Sequence, residues 1–133
     1  MKTIPARILS YVGPAHIVAG LLVFMAGFVP AVQPTLESLI SASGDVAWSP
    51  FFLAVLGPTI ASWGVLFTVV VSQFLSEPSP RLWRAMVWSV LVWAPLDTAL
   101  CLRFGVYSGA ILNGAVVVVL TMLLLNVKKM AYR

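Results

Sequence analysis

Few side chains in this 133-residue chain can do chemistry, and their placement decides what chemistry is open to them. The candidates are His16, Asp97, Asn113 and Arg103, with Trp93 and Cys101 each four residues from Asp97. An aspartate and an asparagine can share a hydrogen bond, and a histidine can carry a proton or ligate a metal. Asp97 and His16 would make an acid–base pair only if the fold brought them together. His16, Asp97 and Asn113 all stand inside long apolar runs. A polar group there is costly, so function or pairing is its default meaning.

The elements that must position these residues follow from composition. The chain is 61% hydrophobic and 9% charged, against roughly 45–50% and 25% for soluble domains. A soluble enzyme, a disordered tail and a disulfide scaffold are thereby excluded. The net charge of +4 is too small and scattered for a nucleic-acid-binding face. A bilayer core about 30 Å thick needs about 20 apolar residues per helical crossing. Four stretches supply them, at about 8–32, 50–75, 82–104 and 106–127. The expected fold is an all-α integral membrane protein, a bundle of four transmembrane helices forming one domain over residues 1–133.

Lysine and arginine set the orientation. Lys2 and Arg7 precede span one, Arg81 and Arg84 lie between spans two and three, and Lys128, Lys129 and Arg133 follow span four. Glu37, Asp45 and the exception, Arg103, fall on the other side. Both termini are therefore expected in the cytoplasm. The basic start could also open a signal peptide, but its apolar run is long for one and no small-x-small cleavage site follows Pro30. Ser49-Pro50 suits the start of span two, with a hydroxyl cap followed by proline. Trp48 and Trp83 fall at opposite membrane surfaces. The segment from Pro34 to Ser41 reads as a short surface helix or as a loop.

Helices in lipid associate through close packing and hydrogen bonds, so small residues should line their contacts. Span one carries Gly13, Gly20 and Gly27 at seven-residue intervals. Span two carries Ala54, Gly57, Ala61, Gly64 and Thr68, spaced three and four. Two such faces predict a tightly packed pair. The tight turn at Gly105, a residue that can adopt the left-handed conformation, predicts an antiparallel hairpin of spans three and four. Pro14, Pro58 and Pro95 predict kinks, with carbonyls freed near the outer half by the last two.

At 1.5 Å per residue, Asp97 and Asn113 both lie roughly 10 Å below the hairpin turn, so a hydrogen bond between them is expected. His16 lies roughly 12 Å from the inner end of span one, which argues against a contact with Asp97. It occupies the glycine face and should point at a neighbouring helix. Ser89, Trp93, Asp97 and Cys101 form a stripe that can serve as pocket wall or packing seam. Trp63, Trp88 and Trp93 read as bulky partners of small faces, or as walls for a flat apolar molecule.

No cofactor or metal is expected. Haem would need a second histidine from another chain, and one histidine with one remote cysteine falls short of zinc's four ligands. The expected function is non-enzymatic: an accessory subunit of a membrane complex, or a binder of an apolar ligand such as a lipid, quinone or pigment. The alternative is a small proton-coupled transporter or channel, working as a dimer through Asp97. The expected partners are the lipid bilayer and further copies or foreign subunits, and the expected location is a bacterial inner membrane.

Overall fold

The computed structural model describes residues 3–29, 31, 34 and 50–132. The loop features expected at 35–41, Trp48 and Ser49, and the cations Lys2 and Arg133, lie outside the described residues. Four helices follow one another: α1 (Ile4–Phe28), α2 (Pro50–Ser76), α3 (Pro80–Arg103) and α4 (Tyr107–Ala131). There is no strand among the described residues. Each helix carries a stretch long and apolar enough to cross a membrane, with mean hydropathy between 1.6 and 2.3. The protein is an all-α integral membrane bundle.

Helix ends differ from the apolar runs because backbone chemistry, not hydropathy, terminates a helix. The first helix begins at Ile4, ahead of the expected residue 8, with proline in its first turn where no intrahelical N–H is needed. It stops at Phe28, short of the expected residue 32. The third begins at Pro80, two residues before the apolar run. Ser79 caps it, its hydroxyl accepting the Arg81 N–H at 3.2 Å. The fourth runs past residue 127 to Ala131, carrying Lys128 and Lys129 in its last turn, where cations offset the helix dipole. The helices α1, α2 and α3 continue through Pro14, Pro58 and Pro95, and Pro58 and Pro95 are exposed.

The turn between α3 and α4 is a Schellman motif. Gly105, at φ +72°, follows the last turn of α3. Its N–H donates to the Leu102 carbonyl at 3.3 Å, and the Val106 N–H donates to the Cys101 carbonyl at 2.8 Å. Two carbonyls otherwise orphaned at the helix end are thereby satisfied. Any residue with a Cβ is strained at that φ, which is why glycine stands there.

The contact of α1 with α2 is closer still. A Cβ added at Gly13 would fall 2.7 Å from the Gly64 carbonyl oxygen, and one added at Gly64 would fall 2.8 Å from the Ile17 nitrogen. Gly20 and Gly57 meet in the same manner one heptad away, with Ala61 against Gly20 and Phe24 against Gly57. Apart from the Thr68 hydroxyl beside Gly13, the closest obstructing atoms are backbone, which cannot rotate aside. These two helices touch main chain to main chain.

The two pairs join at one end. Leu9 of α1, Phe67, Val71 and Phe74 of α2, Met86 and Val90 of α3, and Leu120, Leu123, Leu124 and Val127 of α4 form one core. These positions place the start of α1 and the end of α4 at the same end of the bundle, the end that carries Arg7, Arg81, Arg84 and Lys128. Elsewhere large apolar side chains face outward, among them Leu22, Leu96 and Ile111. In water such exposure would be a liability, whereas in lipid it is the solvated face.

Candidate functional site

The polar centre lies between α3 and α4. Asn113, 7% exposed, is the buried polar side chain among the described residues. Its amide donates to Asp97 Oδ2 at 2.6 Å and reaches Cys101 Sγ at 3.8 Å. The hairpin geometry explains the meeting. Asp97 lies six residues before the end of α3 and Asn113 six residues after the start of α4, so both stand about 9 Å from their helix ends. Cys101 is one turn above Asp97 on the same face. Gly109 lets α4 come close there, since a Cβ on it would fall 2.9 Å from Cys101 Sγ.

This arrangement gives the acid a partner of its own. A charge-assisted or acid–amide hydrogen bond at 2.6 Å is short and directional. It pins α3 to α4 within two helical turns of their connection. Asn113 engages Asp97 through Oδ2, and Asp97 itself is only half-buried.

His16 belongs to the other pair of helices. Its Nδ1 lies 2.7 Å from the Val12 carbonyl oxygen. A carbonyl only accepts, so Nδ1 carries a proton and Nε2 is the second, distinct nitrogen. The imidazole ring lies 4.5 Å from the Trp63 ring, and Trp63 stacks on Phe67 at 4.8 Å. The residue falls midway along α1, twelve residues from Ile4 and twelve from Phe28, deeper than the roughly 12 Å expected from the apolar run alone. Its hydrogen bond and ring contact lie on α1 and α2, while the hydrogen-bond partner of Asp97 lies on α4.

The remaining candidates are scattered. Trp93 is half-buried on α3, one turn before Asp97. Arg103 is exposed at the end of α3, its guanidinium carbon 5.9 Å from the Phe104 ring centre. Trp88, expected to back a small face, is 63% exposed and turned outward. Gly13, Gly20, Gly57, Ala61 and Gly64 sit in the α1–α2 contact, and Gly27 is half-buried near the end of α1. Among the described residues, no three of His, Cys, Asp and Glu gather as a metal site would require.

Two contributors escape a reading of the sequence. Gly109 has no repeat partner to signal it, although it lies one turn before Asn113. Trp83 reads as a surface anchor, yet its indole N–H donates to the Leu124 carbonyl of α4 at 3.1 Å. Lys128 Nζ lies 4.1 Å from the same indole ring, a cation–π contact. The α3–α4 hairpin is therefore tied at both ends, by Asn113–Asp97 near the turn and by Trp83–Leu124 near the basic end. The chain matches no protein-family model, no curated protein and no solved structure.

Proposed function

We propose that the protein is a non-enzymatic subunit of a membrane assembly, presenting its outward apolar faces to other helices or to lipid. In this reading it resides in a bacterial inner membrane, and the cation distribution favours cytoplasmic termini. The observation that carries the reading is the use made of the polar side chains. The Asn113 amide donates to Asp97 Oδ2 across the hairpin, and His16 satisfies Nδ1 on its own helix. Polar groups spent on holding helices together are characteristic of packing elements in membranes. Binding of an apolar ligand is the same reading with a small molecule in place of a neighbouring helix.

Substitution at Asp97 tests it. Asp97→Asn retains hydrogen-bonding capacity toward Asn113 and should preserve expression and assembly. Asp97→Leu leaves Asn113 unpartnered and should lower both. Equal loss of function from the two variants, with assembly intact, would overturn the packing role.

The second reading is a proton-coupled transporter or channel working as a dimer. It is favoured by the half-buried state of Asp97, whose Oδ2 alone Asn113 engages. A conducting role predicts a proton leak in reconstituted vesicles that Asp97→Asn abolishes. No leak, and no change with the variant, would remove it.

A further inference from the structure

A groove of about 140 Å³ runs along the α3–α4 seam near the basic end of the bundle. Val87 and Leu91 of α3 and Thr121 and Leu125 of α4 line it, and the Trp83 indole closes its basic end. It is open sideways: Leu91 is 54% exposed and Leu125 48%. The indole is held in place by its hydrogen bond to the Leu124 carbonyl, and Lys128 Nζ is held over its face. Arg84 precedes Val87 and Leu91 by three and seven residues, the helical spacing that puts it on the same edge of α3. Lys128 follows Leu124 and Leu125 by four and three, one turn beyond the groove on α4.

We infer that this seam is a specific binding site for one anionic phospholipid, with a segment of its acyl chain in the groove and its phosphate against Lys128 and Arg84. Charge complementarity selects the occupant. A neutral chain or a helix of this composition would fill the groove equally well but would leave two cations at its mouth without a counter-charge. Glu77, the described acid at this end of the bundle, already accepts from Gln73 at 3.2 Å. Basic pockets between transmembrane helices recognise anionic headgroups in this way. The apolar part of the site gives little net energy, since any lipid tail is equally apolar. Selectivity therefore comes from the headgroup, and placement comes from the groove. The inference rests on the ligand-binding form of the proposed function, with the seam of a single chain facing lipid, and needs no partner subunit.

Native mass spectrometry of the detergent-solubilised full chain tests it, with phosphatidylglycerol and phosphatidylcholine of identical acyl chains as probes. One phosphatidylglycerol should be retained in preference to phosphatidylcholine. Lys128→Gln or Arg84→Gln should each weaken that retention about fivefold, the worth of one near-surface cation. Arg7→Gln removes the same charge from α1, which contributes no lining residue to the groove, and should change retention less than twofold. Inorganic phosphate in excess should not displace the lipid, because it cannot occupy the groove. In parallel, acyl-brominated phosphatidylglycerol should quench tryptophan fluorescence more than its brominated phosphatidylcholine counterpart. That excess should vanish in Trp83→Phe. Equal retention of the two lipids, an Arg7→Gln effect as large as that of Lys128→Gln, displacement by phosphate, or an undiminished quenching excess in Trp83→Phe would each overturn the proposal.

Discussion

The two helix pairs of this bundle are held by different physics. Between α1 and α2 the contact is main chain against main chain, made possible by Gly13, Gly20, Gly57 and Gly64. Between α3 and α4 the links described are side-chain hydrogen bonds, Asn113 to Asp97 and Trp83 to Leu124, set by a glycine turn. The first mode gains dispersion over a long seam and tolerates no added atom. The second concentrates its specificity at two points and permits larger side chains between them. A hairpin whose connection is only residues 104–106 needs no continuous small face, because covalent connection already keeps its helices close. A pair joined by a long loop has no such help, and here it carries the glycine repeat.

The sharpest test of that contrast is Gly20→Ala. Its new Cβ would meet the backbone of Gly57 and Ala61, so the helices must separate. Overpacking of this kind costs typically 1–3 kcal/mol. The loss should appear in unfolding by steric trapping in bicelles, together with an increase in the α1–α2 distance measured between spin labels. Gly114→Ala, where an added Cβ meets open space, is the matched control and should be close to neutral. If the two variants behave alike, the glycine seam is not what joins α1 to α2.

Gly105→Ala comes next. A Cβ at left-handed φ costs roughly 1–2 kcal/mol, although no neighbour obstructs the atom itself. The expected result is loss of stability in the α3–α4 hairpin with the α1–α2 spin-label distance unchanged. A smaller effect is expected for Asp97→Leu, about 1 kcal/mol, as interhelical hydrogen bonds in membranes average below that and rarely exceed 1.7. Asp97→Asn should recover most of it. The smallest is Trp83→Phe, roughly 0.5 kcal/mol for one indole hydrogen bond whose acceptor keeps its helical partner. A Trp83→Phe effect exceeding that of Asp97→Leu would mean that the hairpin is secured at the basic end and not near its turn.

Much of this was legible from residue spacing. The heptad of Gly13, Gly20 and Gly27 and the three-four alternation on the second helix each mark a continuous small face, and adjacent small faces in lipid have one efficient partner. The Asp97–Asn113 hydrogen bond follows from equal distance to a tight turn. The bond of Trp83 to α4 was not legible, since an indole near a membrane surface has an equally good alternative at the headgroups. Nor was Gly109, a single glycine among many small residues, or the outward rotation of Trp88, which depends on which face α3 gives to α2.

Residue types and their spacing by themselves determined that this chain forms four apolar helices, that the last two are joined by a tight glycine turn, and which residues are small enough to let two of them touch. Those are local properties, dictated by the solvation of each segment and the sterics of each residue. Only the tertiary structure decided that the core joining all four helices lies at the basic end, that His16 sits with Trp63, and that Lys128 lies over Trp83. Rotation of a helix about its axis costs nothing in lipid until another helix is present, so such pairings exist only once the bundle has packed.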